Sequence, residues 1–235
     1  MKRLYFTLAL WLSAALLTLA QDKPGLTPAA EFASLLKNEP DPQLIDARSP
    51  EEFALNHIDG AINLNLQNPN YEAEVKKLDV SRPVFVYSIQ NGRSSALAKD
   101  LRSRGFSRVY DLEKGIGSWV GGGYPLYTSA KADRSLADYQ QVLATNKLVL
   151  VDIGSRYCGA CKRVKPILEE LRKEHGNALT IVELELEESP ALIASLKTVT
   201  AFPYLILYKE GQIVWKRSGI ADLKPQLDGE LTKAK

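Results

Sequence analysis

Cysteine and histidine are nearly missing from this chain of 235 residues: Cys158 and Cys161 are its two cysteines, His57 and His175 its two histidines. A four-ligand zinc site would need further partners, and the histidines stand at no ligand spacing, so no metal is expected. A single cysteine pair also excludes the several-bridge framework of small disulfide-stapled domains. Long polar or repetitive tracts are absent, which argues against disordered, fibrous and solenoid chains. Neither sign of charge dominates: 30 basic and 28 acidic side chains give a formal net charge of +2, so nothing points to nucleic acid. What is there, 45% hydrophobic and 25% charged residues, is the composition of an ordinary folded protein.

The long apolar run lies at the start. Lys2 and Arg3 precede an apolar stretch from Leu4 to Ala20, broken by Thr7, Ser13 and Thr18, with small residues around a cut after Ala20. That is the build of a secretory signal peptide. Residues 1–20 are therefore expected to be removed and the protein exported, into the periplasm if the cell is Gram-negative. Membrane contact is expected only if the leader stays uncleaved as an anchor, since its length sits at the lower edge of the about 17 to 25 residues a span requires. Cleavage removes Lys2 and Arg3 and no acid, leaving a net charge near zero.

At about 150 residues per domain the length allows one large domain or two small ones. From about Leu26 to Tyr127 short apolar strands alternate with helical stretches, and the alternation resumes from Ser135. The short polar stretch Tyr127 to Asp133 reads as the boundary, giving domains over 21–128 and 129–235. In the first, Gln43 to Ala47, Val84 to Tyr87 and Val109 to Leu112 read as buried strands, and Ser94 to Arg104 as a helix stopped by Gly105. In the second, the strand Lys147 to Ile153 leads into a helix with Val164, Ile167, Leu168 and Leu171 on one face, ended by Gly176. A strand at Thr180 to Leu186, a helix near Pro190 to Lys197, and a hairpin of Tyr204 to Tyr208 with Gln212 to Lys216 turning at Glu210-Gly211 complete it. Both halves are α/β, the first with a parallel sheet.

Cys158 and Cys161, three residues apart at the opening turn of a helix, share a face at a distance that a disulfide can bridge. Cys158 falls at the helix N-terminus, where unpaired N–H groups and the helix dipole favour its thiolate, the attacking species. Arg156, Lys162 and Arg163 add positive charge nearby. The pair thus reads as reversible thiol–disulfide exchange, Cys158 the nucleophile and Cys161 the resolving thiol. The alternative is a structural bridge capping the helix, or an idle half of a metal site.

From about Leu136 to the end the chain resembles the thioredoxin superfamily. Val151-Asp152 precedes the Cys158-Gly159-Ala160-Cys161 motif as the family's buried acid does, Pro166 matches its helix kink, Phe202-Pro203-Tyr204 its cis-proline segment, and Gly211 and Gly219 its hairpin glycines. The resemblance implies that Asp152 exchanges a proton with Cys161, and that Pro203 leaves backbone open beside Cys158 for an extended substrate. Tyr157 stands in place of tryptophan and Ala160 in place of proline. Alanine rather than histidine beside the second cysteine, together with Asp152, is closer to the family's reductive members.

In the first domain, Leu44-Ile45-Asp46-Ala47-Arg48, Glu52-Phe53 and His57 to Asn63, then Arg82 to Tyr87, and finally Gly115 to Trp119 with Gly123-Tyr124-Pro125 resemble, in turn, the opening motifs, the strand before the active-site loop and the terminal motif of a rhodanese domain. Rhodanese chemistry needs a cysteine heading that loop, inside a nest of N–H groups. Here the position is Ser88, whose hydroxyl cannot carry sulfane sulfur, so the domain is expected to be inactive. Asn91 stands where glycine is usual, and Arg93 is kept. No activating base or nucleophile elbow accompanies Ser88. Ser88 and Arg93 could retain a vestigial anion pocket; Asp46, Arg48 and His57 read as structural.

Together these readings imply an exported thiol–disulfide oxidoreductase without a cofactor. Its partners are protein disulfides or dithiols, and by resemblance a membrane thiol reductase supplies electrons. The rhodanese-like domain serves docking or binding. Two alternatives stand beside it: a protein handling sulfane sulfur as persulfide, and a non-catalytic interaction module whose cysteines form a permanent bridge.

Overall fold

A computed structural model describes residues 25–129 and 134–234. The expected leader, and residues 130–133 of the expected boundary, lie outside the described residues.

The first domain runs β1 (Leu26–Thr27), α1 (Ala29–Asn38), β2 (Gln43–Asp46), α2 (Pro50–Leu55), β3 (Asn56–His57), β4 (Ile62–Asn63), α3 (Tyr71–Val75), β5 (Val84–Tyr87), α4 (Asn91–Ser103), β6 (Val109–Leu112), α5 (Gly115–Gly121) and β7 (Tyr127–Thr128). Five strands form a parallel sheet in the order β1-β6-β5-β2-β4. Strand β5 is buried on both faces, as a central parallel strand must be, and its end aims the loop Ser88–Gln90 out of the sheet. Helix α4 starts at Asn91 rather than at Ser94, because the Asn91 amide is clamped: Nδ2 donates to Leu112 O at 2.8 Å and Oδ1 accepts from Lys114 N at 2.7 Å.

The expected boundary begins inside this domain. Strand β7 pairs antiparallel with β3, and Ser129 N donates to Leu55 O. The pairing is held by the His57 ring, stacked on Phe53 at 4.0 Å and Tyr127 at 4.6 Å, with Nδ1 bonded to Phe53 O. That accounts for His57 as a structural residue. Asp46 and Arg48 form a fully buried ion pair at 2.7 Å, and Arg48 also donates to Asn56 Oδ1 and Asn56 O, bracing the loop between β2 and α2.

The second domain runs α6 (Leu136–Thr145), β8 (Leu148–Gly154), α7 (Gly159–His175), β9 (Thr180–Glu185), α8 (Pro190–Leu196), β10 (Tyr204–Lys209), β11 (Gln212–Ser218) and α9 (Leu223–Ala234). Its sheet has the order β11-β10-β8-β9, with β8 and β9 parallel and the other pairs antiparallel. Every residue of β8 is buried, and this strand delivers the chain to the cysteines. Helix α7 buries Cys161, Val164, Leu168 and Leu171 and turns its charges outward. Gly176, at φ +52°, ends it where a side chain would be strained.

The two domains share one apolar cluster, which takes Ile89, Ile116 and Trp119 from the first and Cys158, Val199 and Phe202 from the second. Glycines make the approach possible. A Cβ on Gly121 of α5 would lie 1.6 Å from Val199 O, and one on Gly117 would lie 3.2 Å from the Phe202 ring.

Because removing Arg48 strands the Asp46 carboxylate in the interior, Arg48→Ala is expected to cost about 3–5 kcal/mol of stability, read as a lower denaturant midpoint at unchanged slope.

Candidate active site

Strand β8 ends at Gly154, and the turn Ser155-Arg156-Tyr157 brings Cys158 to the N-cap of α7. Cys158 N donates to Ser155 O at 3.0 Å, and Cys161 N donates to Cys158 Sγ at 3.2 Å. The orphan amide of the first helical turn thus serves the sulfur, which is how a helix start stabilises a thiolate. Cys158 and Cys161 are joined as a disulfide with Cα atoms 5.2 Å apart. Gly154 makes room for it, since a Cβ there would lie 3.0 Å from Cys161 Sγ.

Asp152 lies on β8 behind Cys161. It is 7% exposed, and its Oδ1 is the one buried side-chain oxygen or nitrogen among the described residues without a hydrogen bond. A void of about 10 Å³, enough for one water, joins it to Cys161 and is bounded by Gly154, Lys165 and Glu183. Burial, and then the negative charges of Glu183 and Glu185 against the opposing Lys165, push its carboxyl up to about 7. Near neutral pH the group is therefore half protonated and placed to take or return the proton of Cys161.

The positive charge expected around the dithiol is partly spent elsewhere. Arg156 pairs with Glu185 at 3.0 Å, with Glu188, and with buried Glu187 at 3.8 Å. Glu187 also accepts from Ser155 Oγ at 2.5 Å, fixing the turn that carries Cys158, and its burial raises its carboxyl above the ordinary range. Lys162 and Arg163 lie exposed on the first turn of α7. The helix start thus remains the nearest polar support of the sulfur.

The Phe202–Pro203 peptide is cis, and Pro203 leads into β10. The backbone beside it was expected to lie open, and it does not. Gln90, from the loop after β5 in the first domain, donates through Nε2 to Phe202 O at 2.7 Å, and the same nitrogen is 4.0 Å from Cys158 Sγ. Cys158 is completely buried. Gln90 was not singled out in the sequence, where nothing reveals that the degenerate loop of one domain faces the dithiol of the other. A cavity of about 290 Å³ lies farther along the junction, between Lys114, Ser118, Lys197 and Thr198.

Ser88 and Arg93 do not converge on one pocket. Ser88 is buried; its Oγ donates to Gln90 O and accepts from Ser94 N at 3.2 Å. Arg93 makes a two-pronged pair with buried Glu52, at 2.5 and 2.8 Å, so an anion there would have to compete with a carboxylate. The nearby cavity of about 190 Å³ is lined by Ala47, Asn65, Leu66, Gly92 and Arg93, without Ser88.

A dithiol at the start of a helix on a mixed four-stranded sheet, behind a parallel α/β domain, defines a thioredoxin fold joined to a rhodanese-like one. Comparisons agree. A family model described as a rhodanese-like domain matches residues 28–121, and one described as thioredoxin matches residues 131–229. Thioredoxin of Mycobacterium tuberculosis is 42% identical over 73 residues, 31% of this chain, and the match spans 62% of that relative's length. Thioredoxin of Alicyclobacillus acidocaldarius is 34% identical over 95 residues, covering 40% of this chain and 89% of the relative. The solved structure of Plasmodium falciparum thioredoxin, 25% identical, covers 45% of this chain and 100% of its own, with a TM-score of 0.39. The chain belongs to the thioredoxin family, and a rhodanese-like domain precedes its thioredoxin domain.

Asp152 bears on stability. A carboxyl that titrates near 7 when folded and near 4 when unfolded binds its proton more tightly in the folded state. The contribution of this group to the stability of the oxidised protein is therefore greatest below about pH 4 and falls by roughly 1.4 kcal/mol per pH unit between about pH 4 and 7. Asp152→Asn is expected to flatten that slope and raise stability at pH 8, as urea unfolding at several pH values will register.

Proposed function

We propose that this protein is an exported thiol–disulfide oxidoreductase that reduces disulfides of other proteins. The observation that carries the reading is the bonded Cys158–Cys161 pair at the start of α7, with buried Asp152, its carboxyl pushed up to about 7, lining one small void with Cys161.

In the reduced protein, the Cys158 thiolate attacks one sulfur of a substrate disulfide. A bond forms between Cys158 Sγ and that sulfur, the substrate S–S bond breaks, and the departing thiolate takes up a proton. Asp152 then accepts the Cys161 proton. The Cys161 thiolate attacks Cys158 Sγ, closes the intramolecular disulfide and expels the second substrate thiol. Two electrons pass from the pair to the substrate, so each turnover needs a two-electron thiol donor to reopen it. A relative in Mycobacterium leprae bears the name bifunctional thioredoxin reductase/thioredoxin, 40% identical over 76 residues. Its name supports a thiol reductase as donor; for an exported protein the donor would be a membrane thiol reductase. Asp152 and the lack of histidine beside Cys161 support the reducing direction. The rhodanese-like domain, with Ser88 in place of cysteine, contributes contacts to the site and no sulfur transfer.

Export rests on residues 1–20. Among the described residues no helix is long and apolar enough to cross a membrane. Amino-terminal sequencing of the protein recovered from a secreting host should begin at Gln21; an intact Met1 would refute cleavage.

Cys158→Ser is expected to abolish reduction of a protein disulfide, and Cys161→Ser to accumulate a mixed disulfide visible by mass spectrometry. The measured potential of the pair should lie above the roughly −300 mV below which structural bridges sit. Full turnover by the Cys158 variant would overturn the proposal.

A further inference from the structure

We propose that Gln90 is a specificity-determining residue of the dithiol site: its side chain holds the place of a substrate's backbone N–H, and the loop that carries it covers Cys158 until an extended peptide displaces it. This inference rests on the proposed thiol–disulfide exchange and concerns which disulfides reach it.

Cys158 is completely buried, yet the sulfur of an attacking thiolate must be reached in line by another sulfur. Gln90 covers it, with Nε2 lying 4.0 Å from the sulfur and donating at 2.7 Å to Phe202 O. That carbonyl belongs to Phe202, before the cis proline that leads into β10 and beside the dithiol. An extended peptide laid along this segment would donate a backbone N–H to such an acceptor, and the Gln90 amide supplies the same donor. The cover is also firmly mounted. Ser88 Oγ donates to Gln90 O, the Asn91 amide clamps Leu112 O and Lys114 N, and a Cβ on Gly115 would meet Ser88 O at 2.4 Å. Such a loop does not swing aside by itself.

Access thus comes by exchange of donors at Phe202 O, or by parting the domains along the contact of Gly121 with Val199. A flexible, extended segment with a free backbone N–H next to its half-cystine can make that exchange. A disulfide locked within a compact fold has no such group to offer and meets a closed surface. The substrate class is therefore disulfides in unfolded or extended protein segments.

Two full-length variants test this, Gln90→Ala and Gly121→Val, the first removing the donor and the second wedging the domains apart. The reduced proteins are alkylated with iodoacetamide from pH 6 to 10, and the rate at Cys158 is read at its high-pH plateau, where ionisation no longer matters. Either variant should raise the plateau at least tenfold over the wild type. Gln90→Ala should also narrow the preference for an extended peptide disulfide over a compact protein disulfide, measured as kcat/KM for each. Should Gly121→Val fail to fold, Gln90→Ala decides, because its side chain is only half buried and outside the shared core. A plateau in Gln90→Ala equal to the wild type overturns the cover. Faster alkylation with no turnover of any disulfide overturns the oxidoreductase reading and leaves the cover standing.

Discussion

The close approach of α5 to the chain before β10 is the constraint from which the rest of the architecture follows. Backbone meets backbone there because Gly121 has no side chain to hold Val199 away and Gly117 leaves space for the Phe202 ring. With those two gaps filled by the neighbouring domain, the apolar residues of both units merge into one cluster. The loop after β5 is then carried directly onto the dithiol. Interiors packed to crystal-like density do not stretch to admit even a methyl group at such points, so the mutual position of the two domains is set by residues with no chemistry of their own.

Electrostatics inside the thioredoxin domain follow from a second constraint, the burial of β8. An acid on a strand buried along its whole length is cut off from bulk water. Glu183 and Glu185 on adjacent β9 add their repulsion. Desolvation leads and repulsion follows, and together they bring a carboxyl into the range where proton exchange with a thiol is efficient at neutral pH. The same acidic edge draws Arg156 away from the sulfur into its own ion pairs. The thiolate is thereby left mainly to short-range support from the helix start, which salt screens less than it would a distant surface charge.

Much of this was legible in the residues themselves. The strands Val84–Tyr87 and Val109–Leu112 and the Gly176 stop of α7 follow from apolar runs and a breaker, signals local to a few positions. The CxxC spacing placed both sulfurs on one turn before any fold was known. Asp152 was findable only through family likeness, because its perturbed titration comes first from burial in the folded sheet and then from Glu183 and Glu185 on β9, neither of which is local in sequence. Three features had no sequence signal: the pairing of β7 back onto β3, the diversion of Arg156 to the glutamates, and the reach of Gln90 to Phe202. Each depends on side chains brought together by tertiary structure, and the last on the packing of one domain against the other.

The pairing of β7 with β3 has a kinetic meaning. It keeps the chain tied to the first domain as far as Ser129, so only the few residues before α6 at Leu136 separate that anchor from the thioredoxin fold. A ligand tethered so briefly competes at an effective concentration on the order of millimolar, whatever the amount of protein in the cell. Dilution cannot release it. A soluble peptide offered at micromolar levels starts at a disadvantage of about a thousandfold and must recover it through contacts that the glutamine amide does not make.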